Sequence, residues 1–253
     1  MPNMDYKSVI ASIQRWLREY LKVSGLKGFV LGLSGGLDSS VAAVLCRKAS
    51  NSTVGLFLPC ESNPQDMEDA NLVAKKFDIK TKVYDLTSIH DVFLRTLEIS
   101  KTDKEARRIA VANIKPRLRM VALYCVANIL GYLVVGTSNR TELMLGYFTK
   151  YGDGGADILP LGDLLKRDVR EIAQILNIPK RIIEKKPSAG LWSGQTDEGE
   201  LGASYDILDR VVANEDVSDV NSKLINRLRK RMTIKKHKSL PPSICMIEDY
   251  IKT

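Results

Sequence analysis

Residues 29–40 read FVLGLSGGLDSS: an apolar run, then three glycines, three serines and one aspartate. An apolar run entering such a turn is the end of a buried strand running into a helix. Three templates compete for it. A phosphate loop of the G-x-x-x-x-G-K-[ST] type needs a lysine, which this stretch lacks. The dinucleotide fingerprint G-x-G-x-x-G fails, because Ser34 and Leu37 stand where its second and third glycines belong. The nucleophile elbow G-x-S-x-G does match Gly32 to Gly36. Its oxyanion hole, however, borrows an N–H from a loop after an earlier strand, and this is the first strand of the chain. A serine hydrolase also needs a histidine base, and the sequence has only His90 and His237, the latter in a lysine-rich stretch. What remains is S-G-G-x-D-S, from Ser34 to Ser39. Paired glycines let main-chain N–H groups turn toward an anion. The amino end of the following helix favours negative charge, with Asp38 and Ser39 expected as its caps. Asp38 would repel a phosphate unless a cation lay between them, which points to Mg²⁺. Read for itself, the stretch is also compatible with a plain capped turn.

Outward from this turn the pattern alternates. Ile10, Ile13, Trp16, Leu17, Tyr20 and Leu21 recur at helical spacing, an opening amphipathic helix from about residue 5. Strands are expected over 28–33, 53–59, 79–86 and 132–139, and helices over 39–49 and from Pro64 to Asp78. A single long helical region is expected over about 103–129. A further helix carries Leu164, Leu165, Val169, Ile172, Ile175 and Leu176, and closing helices end the chain. Between them, the sequence past residue 140 is loop-rich. Strand–helix alternation predicts an α/β fold, a doubly wound, mostly parallel sheet with helices on both faces and extra helices at the C-terminal end. Ligands of such sheets sit beyond the carboxyl ends of the strands.

The bulk numbers bound the function. The 253 residues carry a net charge of +8, which favours anionic partners. Four dispersed cysteines and two histidines argue against a zinc site or a disulfide framework and suit a reducing cytoplasm. The longest apolar stretch, 120–136, falls short of the roughly 20 residues of a membrane span. No apolar signal core opens the chain, and no linker divides it, so one domain over 1–253 is expected.

SGGLDSS after a first apolar strand resembles the pyrophosphate loop of the ATP pyrophosphatase superfamily, whose fold is that of the adenine nucleotide alpha hydrolases. Further stretches resemble one branch of it, the ammonia-dependent NAD synthetases: NIKPRLRM (113–120), GTSNRTE (136–142), FTKYGDGGADILPLGDLLK (148–166), KKPSAGLW (185–192) and HKSLPP (237–242). The resemblance implies a ligase that adenylates the pyridine carboxylate of deamido-NAD with ATP, releases pyrophosphate, and lets ammonia displace AMP to give NAD. It implies ATP contacts from Gly32, Leu33, Ser34, Gly35, Gly36, Leu37, Asp38, Ser39, Thr137, Lys166 and Ser188. It implies Mg²⁺ on Asp38 and Glu142, and deamido-NAD contacts from Arg117, Lys150, Asp157, His237 and Lys238. Asp153 is the expected acceptor for the proton that ammonium loses. A tight homodimer through the apolar region 109–130 is implied as well. No glutaminase domain is expected, since the first helix opens near residue 5.

Taken without the resemblance, these residues have plainer readings. Arg117 and Arg119 point to different sides of a helix and one can simply be solvated; Glu142 can begin a helix, Thr137 can cap one, and Lys166 can be a surface lysine. Two rival classes stay in view. KLINRLRKRMTIKKHK (223–238) carries eight basic residues and no acid, as a tRNA-modifying relative would, but Leu224, Leu228 and Met232 at helical spacing fit a packed face with a solvated basic side, and no nucleic-acid or membrane partner is expected. A non-catalytic nucleotide-binding module would keep the glycine loop without needing Asp38, Glu142, Lys150 and Lys166.

Overall fold

The computed structural model describes residues 4–99, 105–192 and 194–247. In chain order the elements are α1 (Tyr6–Ser24), β1 (Gly28–Gly32), α2 (Leu37–Ala49), β2 (Thr53–Phe57), α3 (Pro64–Lys76), β3 (Lys80–Val83), α4 (Thr87–Thr96), α5 (Glu105–Ala112), α6 (Ile114–Leu130) and β4 (Tyr132–Val134). They continue with α7 (Arg140–Leu145), α8 (Lys166–Ile175), α9 (Lys180–Ile183), α10 (Asp197–Leu201), α11 (Tyr205–Ala213) and α12 (Ser222–Lys235).

The four strands form one parallel sheet in the order β3-β2-β1-β4, with Val30 opposite both Val54 and Val134. Side chains alternate across a strand. Phe29 and Leu31 of β1 therefore enter one apolar layer with α1, α2 and α8, while Val30 enters the opposite layer with Leu56 of β2 and Leu123 of α6. Burial on both faces is why this strand reads as an unbroken apolar run. β3 forms the edge and is exposed throughout, its two lysines discouraging a further strand from adding there. A third apolar cluster joins Leu145 of α7, Tyr205 and Leu208 of α11, and Ile225 and Leu228 of α12.

Three expectations are corrected. The expected long helix over 103–129 is two, its first residues, 103 and 104, lying outside the described part. α5 ends at Ala112, and Pro116 in the first turn of α6 has no N–H with which to bond back to it. Asn113 sits at the break and accepts the Thr149 hydroxyl at 2.7 Å. Between β3 and α5 the chain forms α4, which the sequence pattern did not reveal. The segment past 140 is not loop alone: it opens with α7, whose capping box pairs the Asn139 side chain with the Glu142 N–H, and the Glu142 carboxylate with the Asn139 N–H.

Candidate active site

β1 ends at Gly32 and the chain turns at once into α2. Asp38 and Ser39 do not cap α2 as expected. Its N-cap is Gly36, and no side chain bonds its first amides. The serines are engaged with the loop itself. Ser34 and Ser39 hydroxyls lie 2.9 Å apart, Ser34 Oγ accepts the Gly36 N–H at 3.3 Å, and Ser40 Oγ donates to the Gly36 carbonyl at 2.7 Å. Gly35 adopts a left-handed φ of 75°, and a Cβ there would stand 2.2 Å from the Asp66 carbonyl. The loop is thus shaped by its own hydroxyls, and the amino end of a 13-residue helix is left with uncapped amides, an anion cradle. Ser34 bonds a serine and a backbone amide, and neither histidine approaches it: His90 is buried in α4 beside Glu61, and His237 lies exposed after α12. The elbow reading has no base.

Beside the cradle three charged side chains meet. Lys166, the first residue of α8, is 2% exposed. Its Nζ contacts Asp38 Oδ2, lies 3.4 Å from Glu142 Oε1, and stands 4.9 Å from the Tyr205 ring. Asn139 donates to Asp38 Oδ1 at 3.1 Å. Asp38 comes from α2, Glu142 from α7 and Lys166 from α8, so residues 38, 142 and 166 are brought together by the fold, in which β1, leading to α2, lies parallel beside β4, leading to α7. Burial, and then the neighbouring Asp38, push the Glu142 carboxyl well above its ordinary range. Burial works against the Lys166 ammonium, but Asp38 and Glu142 outweigh it and raise its pKa. The surface-lysine reading of Lys166 is excluded by this burial.

The other expected residues fall into separate groups. Leu33 and Leu37 put their side chains into the core, so only their main chain borders the loop. Thr137 is half-buried just past β4. Ser188 is exposed, its hydroxyl accepting the Gly190 N–H at 3.1 Å. Around the 146–153 turn, Lys238 Nζ donates to the Gly146 carbonyl at 2.7 Å and to that of Phe148, Lys150 Nζ donates to the His237 carbonyl at 3.0 Å, and Arg117 reaches the Lys150 carbonyl at 3.5 Å. Burial lowers the Lys238 ammonium to about 8. Asp153 accepts the Thr149 N–H at 2.9 Å in the same turn. Asp157 stands apart from this group at the end of β4, taking the Val134 N–H at 2.7 Å and the Tyr124 hydroxyl at 2.9 Å. Arg119, two residues from Arg117, points elsewhere and donates to the Leu58 carbonyl at 3.0 Å.

A family model described as NAD synthase matches residues 9–242. The chain belongs to the NAD synthase family. A protein described as NH(3)-dependent NAD(+) synthetase from Finegoldia magna is 44% identical over 236 residues, spanning 93% of this chain and 94% of that one. A solved structure described as NMN synthetase from Francisella tularensis superposes with a TM-score of 0.89 at 35% identity, covering 96% of this chain and all of that one. The NH3-dependent NAD synthetase from Campylobacter jejuni, solved with a nitrate ion, gives a TM-score of 0.79 at 30% identity, covering 96% of this chain and 99% of that one. The α/β architecture read from the alternating pattern is that of these two solved structures.

Within this NAD synthase chain, sequence reading missed a buried set behind Lys166. Tyr205, 1% exposed, donates to Asp197 Oδ2 at 3.0 Å and lies 3.4 Å from Glu142 Oε1. Asp197 Oδ1 is buried with no hydrogen-bond partner. Asp209 accepts from Thr141 Oγ1 at 2.5 Å and from the amides of Lys166 and Arg167 at 3.3 and 2.9 Å, so it serves the amino end of α8. No local pattern marks Tyr205, Asp197 or Asp209; the only local signal near them is the N-x-x-E spacing of Asn139 and Glu142, a capping-box signature.

Proposed function

We propose that this chain is an ammonia-dependent NAD synthetase with deamido-NAD, ATP and ammonia as substrates. The observation that carries the reading is the meeting of Asp38, Glu142 and Lys166 beside an uncapped helix amino end. A carboxylate is a poor electrophile and must be activated. One of its oxygens bonds to the α-phosphorus of ATP, the bond to pyrophosphate breaks, and AMP becomes the leaving group. The nitrogen of ammonia then bonds to the acyl carbon and the bond to AMP breaks. No protein nucleophile is needed. The chain's task is to hold two polyanions in register and offset their charge. In this reading Gly32 to Ser39 seat the pyrophosphate part of ATP, with Thr137, Lys166 and Ser188 as further ATP contacts. Arg117, Lys150, Asp157, His237 and Lys238 hold the dinucleotide acid, and Asp153 takes a proton from ammonium.

Asp38 and Glu142 offer hard oxygens on either side of a buried cation, which is the donor set Mg²⁺ prefers, so these two would hold it. When bound, Mg²⁺ neutralises charge on the phosphates of ATP. Lys166, in contact with Asp38 and Glu142, holds the two carboxyl groups aimed at one point.

The basic α12 supports the same reading against the RNA-modifying one. Ile225 and Leu228 are buried, with Leu224 and Met232 packed beside them, and Arg227 and Arg231 donate to the carbonyls of Leu201 and Leu145, so only Lys223, Arg229 and Lys230 are left as the exposed basic side of an amphipathic helix. No helix of the described residues is long and apolar enough to cross a membrane.

The test is product analysis. Purified protein given ATP, Mg²⁺, ammonium chloride and deamido-NAD should yield NAD, AMP and pyrophosphate in equal amounts, and glutamine should not replace ammonium. The mononucleotide acid belongs in a parallel reaction, because the Francisella structure is described as an NMN synthetase. Amidation of the mononucleotide alone would displace the dinucleotide reading, and a failure to form amide from both acids would overturn the proposal.

The assembly we propose is a homodimer over α4, α5 and α6. Val121 and Ile129 of α6 are 59% and 78% exposed, and Ile89, Val92 and Phe93 of α4 and Ile109 of α5 are exposed as well. Apolar side chains gathered on three adjacent helices exceed the isolated ones of a monomer surface. Light scattering should return twice the 28.2 kDa chain mass, and Val121→Glu should lower it. A wild-type mass of one chain would exclude the dimer.

A further inference from the structure

α9 is followed by a stretch that includes Ser188, and the residue linking this stretch to the phosphate loop is Lys185. Its Nζ donates to Asp66 Oδ1 and to Asp69 Oδ2, each at 2.7 Å, and to the Gly35 carbonyl at 3.3 Å. Arg181 of α9 takes the other Asp69 oxygen at 2.7 Å. Asp66 and Asp69 belong to the first turns of α3, with Asp69 nearly buried, and the Asp66 carbonyl is the atom that a Cβ on Gly35 would strike.

This arrangement sets two opposed demands. The loop is read as holding a polyanion, yet α3 brings two carboxylates against its outer wall. At a few ångströms, uncompensated like charges repel appreciably even near a protein surface. Lys185 answers both demands with one ammonium. It offsets the two acids, and it fixes the carbonyl of the one loop residue held in a left-handed conformation, which sets the direction of the neighbouring amides. Its three hydrogen bonds are all to α3 and the loop, so it is engaged as a brace and not presented as a phosphate ligand.

We propose that Lys185 is a positioning residue for ATP, bracing Gly35 and neutralising Asp66 and Asp69 so that the phosphate loop accepts the nucleotide. This deepens the proposed function and rests on it. Lys185 lies three residues before Ser188, so the brace also anchors the stretch that carries this further ATP contact.

Calorimetry with ATP and Mg²⁺, together with steady-state kinetics on the full chain, tests the proposal. Lys185→Met should raise the Kd and KM for ATP about tenfold or more, the size expected for a lost charge-assisted hydrogen bond beside an anion site. The KM values for ammonia and the acid substrate should stay near wild type, as should kcat at saturating ATP. Lys185→Arg should keep most of the ATP affinity, since a guanidinium can bridge the same carboxylates. Lys185→Gln, neutral but still able to bond Asp66, supplies the measurement should the methionine variant not fold, and should also bind ATP more weakly. A merely structural role would lower the unfolding temperature yet leave the ATP-induced rise in that temperature unchanged. A folded methionine or glutamine variant with wild-type ATP affinity, or an arginine variant as weak as the methionine one, would overturn the proposal. Wild-type protein that binds ATP but makes no amide would instead count against the proposed reaction and leave the brace standing.

Discussion

Replacing Lys166 with methionine is expected to destabilise the protein by about 3–5 kcal/mol and to abolish measurable amide formation. The side chain is 2% exposed and its ammonium meets both Asp38 and Glu142. Removing one partner from a buried ionic cluster leaves the others uncompensated, which costs far more than the cluster contributes as a whole. At roughly 2–4 °C per kcal/mol for a chain of this size, the unfolding midpoint should fall by roughly 10 °C. The loss should also depend on pH, with a definite sign. Glu142 already has a carboxyl pKa raised by burial and by Asp38, and loss of the ammonium raises it further. A carboxyl whose folded pKa is raised costs folding nothing below its unfolded pKa, and the cost grows as pH rises from there to the folded pKa. The methionine variant, kept free of divalent metal, should therefore recover stability as pH falls from about 8 toward 5. Differential scanning calorimetry across that range checks both statements. The wild-type trace should show a single transition, as one folding domain over 1–253 would. An equal midpoint for variant and wild type at pH 8 would mean that the carboxylates do not rely on Lys166.

Asp38→Asn is expected to act on catalysis far more than on stability. The amide keeps the shape of the side chain and, by removing one of two crowded acids, relieves the repulsion that acts on Glu142. What it loses is one of the two hard, charged oxygens assigned to Mg²⁺. A cation held less well would no longer be preorganised opposite the developing anion, a loss that costs on the order of 10²–10³ in kcat. A fall of that size in pyrophosphate release is expected, with the half-saturating Mg²⁺ concentration rising on the order of 10–100-fold. The second readout separates a lost ligand from a general disturbance of the loop, which would lower turnover at unchanged Mg²⁺ dependence. Turnover within a few-fold of wild type at the same Mg²⁺ requirement would take Asp38 out of the centre.

Much of the architecture was legible because local rules and the global fold agreed. The apolar run 28–32 is buried on both faces, so it carried a strand signal strong enough to anchor the alternating pattern. The opening helix has a cap at Asp5 and a left-handed Gly25 at its end, both written in residue type. α4 escaped because its pattern answers to a surface and not to the core: Ile89, Val92 and Phe93 are exposed, and only His90 and Leu94 are buried. The break at Asn113 escaped because a proline three residues into a helix is as compatible with continuing helix propensity as with a restart, and the Thr149 contact that marks the break is 36 residues away in sequence.

The same division runs through the site. Sequence by itself determined the glycine-serine turn at a helix start: paired glycines and serine hydroxyls lie within a few residues and the serine hydrogen bonds close within that span, whereas the uncapped amides and the Lys185 bond to Gly35 were not written there. It also named Asp38, Glu142 and Lys166 through family resemblance. Only the tertiary structure decided that these three touch, that Lys166 is buried rather than solvated, that Tyr205 and Asp197 stand behind it, and that Lys185 braces the loop from its other side. The physical reason is that electrostatic pairing depends on distance in space, and residues 38, 142, 166 and 205 are brought together by the order of parallel strands, a property that no local window of the chain records.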